Sequence, residues 1–260
     1  MWAWRSGRAK TIAERVDRLA LIFPFEPEIY RPLGVAAEYV GNPLLDEFVA
    51  NRPSGRLRER LQIKATEQVV GIFPGSRKSE LNYIFDTLVA AAERIQRIKP
   101  GVKFLLPVAP SLSQEFFSER LQQTNLPIEI VEENIYDVAA ACDAVLSVSG
   151  TVTLQLALVA TPFAIIYKLA PLSYAVGRKL IKVAFAGLPN IIAGKEVARE
   201  YLQDAATPEA LCEEMIRLLD DDDYAEKVRQ DLAAVAREMG EAGCSGRVAQ
   251  MCAEMCSIVG

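Results

Sequence analysis

An α/β fold built on a parallel, doubly wound sheet is predicted by three observations. Apolar runs of strand length alternate with helix-period segments from residue 69 onward, each crossing between them is single, and the chain turns helical from Thr207. A ligand cleft is then expected at the carboxyl ends of the strands.

The elements follow in order. From Thr11 to Leu44 the pattern predicts a helix, a strand, a short helix and a strand: Ile12, Val16 and Leu19 recur at helical spacing, Ala20 to Phe23 is a short apolar run punctuated by Pro24 and Pro27, and Val35 to Val40 extends again. From Asn51 to Gln68 the chain is polar and basic, with Arg52, Arg56, Arg58, Arg60 and Lys64, and reads as an exposed linker or surface helix. Val69 to Phe73 is a buried-strand run. Leu81, Ile84, Phe85, Leu88, Ala92 and Ile95 fall on one face of an amphipathic helix that Pro100-Gly101 ends. Strands at Lys103 to Pro107, Ile128 to Val131, Ala144 to Val148 and Phe163 to Tyr167 alternate with helices at Ser113 to Gln123, at Tyr136 to Ala141 and from Thr151. In the tail, Thr207-Pro208-Glu209 starts a helix, with Thr207 as cap and Pro208 in the first position. The acidic run Asp220 to Asp223 reads as a solvated helix start against the alternative of a metal-binding Asp-x-Asp.

Composition excludes several functions. The 260 residues are 51% apolar and 24% charged, enough for a sizeable core in one large domain or two small ones. A net charge of −5 provides no basic field for nonspecific nucleic-acid binding, so no nucleic-acid partner is expected. With His absent, imidazole bases, Ser-His-Asp triads and histidine metal sites are excluded. Cys142, Cys212, Cys244, Cys252 and Cys256 form no C-x-x-C pair and read as buried or half-buried thiols of a reducing compartment. The first residues lack a signal-peptide layout, and the longest apolar stretch, Leu156 to Tyr167, is too short to span a bilayer.

Three loops carry candidate chemistry. Pro74-Gly75-Ser76-Arg77-Lys78-Ser79-Glu80 follows a strand and opens a helix, which makes an anion site of free N–H groups, a glycine that admits a phosphate and the forked cation of Arg77. An ordinary tight turn with a surface Arg is the alternative, and no Walker sequence is present. Ser149-Gly150-Thr151 repeats the arrangement, with Gln155 one turn inside the helix and placed to reach a sugar hydroxyl; N-capping by Ser149 or Thr151 is the alternative. Two such loops on one sheet edge suggest a diphosphate ligand. The third, Leu188-Pro189-Asn190, reads as a capped turn or as a contact to ligand through Asn190. Upstream of it, Pro171 to Phe185 joins apolar side chains to Arg178, Lys179 and Lys182, a surface for anionic lipid or a basic cover over a core helix.

In order and spacing, Trp2-Ala3-Trp4-Arg5, Phe23-Pro24-Phe25-Glu26, Gly41-Asn42-Pro43-Leu44, Pro74-Gly75-Ser76-Arg77 with Glu80, Ser149-Gly150-Thr151 with Thr153-Leu154, Tyr167 to Pro171 and Leu188-Pro189-Asn190 resemble the lipid-A-disaccharide synthase family. The resemblance implies a GT-B fold and an inverting transfer that joins UDP-2,3-diacylglucosamine to 2,3-diacylglucosamine 1-phosphate (lipid X) with release of UDP. It implies a remnant of the N-terminal, acceptor-side Rossmann domain at 1–48, a linker at 49–68, a nucleotide-sugar domain at 69–206 and C-terminal helices at 207–260, with most of the acceptor-side domain and its proposed general base missing. Gly75, Ser76, Arg77, Glu80, Ser149, Gly150, Thr151, Gln155 and Asn190 are the implied UDP-sugar contacts. Arg77 is the implied catalytic group, stabilising charge on the leaving diphosphate. No metal and no cofactor are expected. The family commonly has His at Asn42 and Glu at Gln155; the amide keeps a hydrogen bond to ribose and loses the charge. Acylated substrates imply a cytoplasmic protein peripheral on the inner membrane of a Gram-negative-type bacterium, touching it through Arg178, Lys179 and Lys182, and the missing domain implies a homodimer. Two alternatives stand beside this: a binding or assembly subunit without catalysis, and a UDP-sugar epimerase, which the lack of His disfavours.

Overall fold

The computed structural model describes residues 6–122, 124–168 and 184–258; the tryptophan run at 2–5 and the cations Arg178, Lys179 and Lys182 lie outside the described residues, as does the side chain of Glu80. The chain opens with α1 (Ser6–Ala13), β1 (Arg18–Leu21), α2 (Glu26–Tyr30), β2 (Ala36–Tyr39) and α3 (Pro43–Ala50). β1 and β2 pair in parallel, with Leu19 opposite Ala37. Asn42 caps α3 by accepting from the Leu44 N–H at 3.0 Å and donates its amide to the Ile22 carbonyl at 3.0 Å, so one side chain ties the end of β1 to the helix start. The first predicted helix does not run on to Leu19. It ends at Ala13, the chain turns with the Val16 N–H on the Ile12 carbonyl, Val16 is exposed, and Leu19 takes a place in the strand pair.

After the single turn α4 (Leu57–Arg60) come β3 (Val69–Phe73), α5 (Lys78–Ile98), β4 (Lys103–Pro107), α6 (Gln114–Leu121), β5 (Ile128–Val131), α7 (Ile135–Ala141), β6 (Ala144–Val148), α8 (Val152–Val159), β7 (Phe163–Tyr167), α9 (Leu188–Ala193) and β8 (Glu200–Leu202). Segment 49–68 is more than an exposed linker: Leu57 and Ile63 are buried in the main core, and Arg58 pairs with Asp143. The strands form one parallel sheet in the order β5-β4-β3-β6-β7-β8, the 3-2-1-4-5-6 order of a Rossmann arrangement. Every residue of β3 and β6 is buried, as helices on both faces require of central parallel strands. Leu81, Ile84, Phe85, Leu88, Ala92 and Ile95 of α5 are all buried, so the apolar stripe faces the sheet as its spacing predicts.

The tail forms α10 (Pro208–Asp220), α11 (Asp222–Glu238) and α12 (Cys244–Ile258). Thr207 caps α10 through the Ala210 N–H, and Asp221 caps α11 through the Tyr224 N–H, which makes the acidic run a helix start. Glu214 of α10 is buried beneath β8; Tyr224 donates to it at 2.7 Å and Tyr201 at 3.4 Å. The chain then returns to its beginning, where α12 packs against α3. Cys142, Cys212 and Cys244 are buried, but Cys252 and Cys256 are exposed on α12, which corrects the expectation that all five thiols are covered.

Candidate functional site

Strand order puts the switch point between β3 and β6, where the chain leaves the sheet in opposite directions from neighbouring strands. The two loops singled out from sequence leave those same strands. Both line one cleft of about 800 Å³, which holds Gly75, Ser76 and Arg77 from the first loop and Ser149, Gly150, Thr151 and Gln155 from the second.

Backbone conformation explains the first loop. Gly75 has φ +86°, a left-handed value that disfavours any β-carbon, and a β-carbon built there stands 2.8 Å from Cγ2 of Val148. The glycine therefore lets the β3 loop pass directly over the end of β6, which closes the distance between the two loops. Arg77 precedes α5 in an extended conformation without capping the helix, and its side chain is exposed at the cleft. Ser111 donates to the Ser76 carbonyl at 3.2 Å and pins the loop from the β4 side.

In the second loop the hydroxyls do not cap α8. Thr151 makes no side-chain cap bond, Thr153 donates to the Gly150 carbonyl at 2.7 Å, and Ser149 donates to the Ala186 carbonyl at 3.0 Å. The donors left to the cleft are the leading N–H groups of α8 and its loop, with the helix dipole behind them. An anion is favoured at this edge.

The opposite wall was not legible in the sequence. Glu47 and Asn51 from the end of α3, with Glu132, Glu133 and Asn134 after β5, complete the lining. Asn134 caps α7 by accepting from the Tyr136 N–H at 3.0 Å and donates to the Asn51 carbonyl at 3.0 Å, joining this wall to the chain end of α3. An Asn two residues before Tyr136 is a cap signal that could have placed it; nothing in the local sequence marks Glu47. Gln155 donates to Glu47 at 3.0 Å where α3 packs on α8. Beneath them burial pushes the Tyr136 phenol well above its usual range, and its hydroxyl is buried without a well-formed hydrogen bond. The cleft thus joins backbone donors and Arg77 to carboxylates and an amide in one lining. A ligand carrying a diphosphate and a hydroxylated ring matches both kinds of group.

Asn190 is elsewhere. It is fully buried behind the sheet edge, donates to Ala198 O and Glu200 Oε1, accepts from the Val197 and Ala198 N–H groups, and does not line the cleft. Glu80 lies in the first turn of α5.

Comparison with known proteins follows the same lines. The lipid-A-disaccharide synthetase family profile matches residues 1–254. The lipid-A-disaccharide synthase of Syntrophotalea carbinolica is 50% identical over 256 residues, covering 98% of this chain and 65% of that protein. That of Geobacter sulfurreducens is 41% identical over 255 residues, covering 98% and 66%. The chain therefore spans about two thirds of the length of these relatives. Among solved structures, Anabaena HepE in complex with UDP-glucose superposes with a TM-score of 0.52 at 16% identity, covering 97% of this chain and 67% of that one. A Neisseria meningitidis UDP-GlcNAc 2-epimerase bound to UDP-GlcNAc gives 0.53 at 11%, covering 88% and 58%. At such identities the likeness is one of fold, a GT-B-type arrangement of parallel sheets.

Proposed function

The chain belongs to the lipid-A-disaccharide synthetase family, and from that premise we propose that its cleft binds the UDP moiety of UDP-2,3-diacylglucosamine and serves transfer of the diacylglucosaminyl group to lipid X with release of UDP. The observation that carries the reading is the meeting of two anion-binding loops, Gly75-Ser76-Arg77 and Ser149-Gly150-Thr151, across one cleft at the switch point of the sheet. In an inverting transfer the acceptor hydroxyl oxygen attacks the anomeric carbon, the bond from that carbon to the diphosphate oxygen breaks, and the hydroxyl proton passes to a base. Charge then grows on the diphosphate. Fixed N–H groups and the Arg77 guanidinium meet that charge without reorganising, which is the condition for electrostatic catalysis. One turn inside the helix, Gln155 with Glu47 offers donor and acceptor to ring hydroxyls.

Calorimetric titration with UDP tests the reading. Saturable binding by the folded protein is expected, weakened by at least about tenfold in Arg77→Ala, since a charged hydrogen bond contributes roughly 1.5–3 kcal/mol. Absence of binding, or equal binding by both proteins, overturns it. Adding lipid X and UDP-diacylglucosamine separates transfer from a second reading, in which the chain binds the nucleotide sugar without reacting it.

Among the described residues no helix is long and apolar enough to cross a membrane. Acyl chains are worth about 0.8 kcal/mol per buried CH₂, so such substrates are met at a bilayer surface. Arg178, Lys179 and Lys182 are the proposed contact. Changing all three to Glu should abolish salt-sensitive sedimentation with anionic liposomes; equal, salt-insensitive sedimentation of both proteins excludes this contact.

A further inference from the structure

We infer that Glu200, held by Asn190, is a positioning residue for the second anion loop, acting through the Ala186 carbonyl on Ser149. The inference rests on the proposed reading only where it concerns UDP. The carboxylate stands at the start of β8 and collects three donors: the Ala186 N–H on Oε2 at 2.8 Å, and the Gly187 N–H and the Asn190 amide on Oε1, each at 2.8 Å. Asn190 spends both amide hydrogens and both lone pairs in this knot, since its oxygen accepts from Val197 and Ala198 and its nitrogen also reaches the Ala198 carbonyl. Gly187 fits because it has no side chain: a β-carbon there stands 2.3 Å from Cδ1 of Ile165 and 3.1 Å from Glu200 Oε1. Residues 186–187 are therefore fixed against β7 and β8 from three directions.

The knot bears on the cleft through one bond. The peptide held at its N–H by Glu200 presents its carbonyl to Ser149, whose hydroxyl donates to it at 3.0 Å. Ser149 itself continues the sheet ladder, with its N–H on the Ile166 carbonyl at 3.0 Å. Its single hydroxyl proton is thus committed behind the loop. Ser149 anchors the loop, and the backbone N–H groups that follow it face the ligand. This gives the Leu188-Pro189-Asn190 run a purpose that its distance from the cleft does not reveal.

The test uses Glu200→Gln, Ser149→Ala and the double variant of the full chain. In E200Q an NH₂ replaces one carboxylate oxygen and opposes an N–H donor, so the Ala186 peptide shifts and Ser149 loses its acceptor. Hydrogen exchange at the residue 149 amide, which is bonded to the Ile166 carbonyl, is expected to quicken about tenfold in each single variant and no further in the double, as one shared bond predicts. UDP binding should weaken about tenfold in both while uridine binding stays unchanged, and Ser149→Thr should restore it. Unchanged exchange at the residue 149 amide in folded E200Q, additive effects in the double variant, or equal weakening of uridine and UDP overturns the inference. If E200Q does not fold, Glu200→Asp, which keeps the charge and shortens its reach to the Ala186 and Gly187 N–H groups, is compared with S149A in the same way. Failure of the wild-type protein to bind UDP counts against the functional reading, and the exchange comparison still decides the linkage.

Discussion

At the residue scale the cleft depends on places where one atom more or one charge more is not tolerated. Gly75 is the sharpest, because it combines φ +86° with a Val148 methyl 2.8 Å from any added β-carbon. Gly75→Ala should lower stability by about 1–2 kcal/mol for the left-handed conformation alone. Urea unfolding measures that loss, and UDP titration should show weaker binding because the loop is lifted from β6. Gln155 is sharp in another way. Its amide nitrogen donates to Glu47 Oε1 at 3.0 Å, so Gln155→Glu replaces that donor with a second carboxylate oxygen. Two carboxylates there repel when both are ionised, so the folded-state value of one rises above its unfolded value. A group raised on folding contributes its stability below the unfolded pKa and loses it as pH rises through the folded one. The variant should therefore match the wild type near pH 4 and fall behind it by roughly 0.5–1 kcal/mol near neutrality, the small size reflecting the exposure of Glu47. Thermal unfolding at the two pH values reads the difference, and a gap that does not change with pH excludes the mechanism.

At the element scale the least expected contact is a helix capped by a side chain from another. Asp46 of α3 accepts from the Gly243 N–H, from the Ser245 N–H at 3.3 Å and from the Ser245 hydroxyl at 3.4 Å, all at the start of α12. These donors, the Gly243 N–H first, hold its carboxyl below the usual range. The folded value is depressed, so the contribution is present above the ordinary Asp pKa and is lost as pH falls through the folded one. Asp46→Ala should cost about 1 kcal/mol at neutral pH, as loss of a helix cap does, and progressively less as pH falls through the depressed folded pKa. Amide exchange in 244–247 localises the effect. Sequence alone could not show this cap, because its two ends are 197 residues apart. What could be read was local: the stripe on α5, the largely apolar runs of β3 and β6, and the Thr207-Pro208 start. β8 escaped notice because three residues led by Glu200 carry no strand period, and β1 was misplaced because Leu19 continues a helical spacing that only its pairing with Ala37 overrides.

At the scale of the whole molecule the two loops proposed to hold a diphosphate were legible because each is a strand, a small-residue turn and a helix start. The carboxylate wall was not, since Glu47 reaches the cleft only through the packing of α3 on α8. That packing has its own core: Leu44 and Leu45 are buried with Leu154 and Met239, with Phe23 packed against them, whereas β1 and α2 bury only Leu21 and Tyr30 with Ala9. Beyond Phe23, the Asn42 bond to Ile22 and the Tyr39 bond to the Met239 carbonyl, the ties of residues 6–41 run to the chain's end. Val40 is buried against Cys244 and Met251, Arg247 donates to the Val40 carbonyl at 2.6 Å, and Arg18 pairs with Glu254 at 2.8 Å. A two-stranded pair with so small a core is not stable by itself, so α12 must hold it. Deleting 244–258 should then release residues 6–41 to limited proteolysis while the core from Leu57 to Val235, which contains nothing from α12, stays resistant. Because α3 remains on α8, Glu47 stays in place, and UDP affinity should be unchanged within the error of titration. Continued protection of 6–41 in the shortened chain would show that β1 and β2 stand without α12, and loss of UDP binding from an intact core would show that the cleft depends on the returning helix.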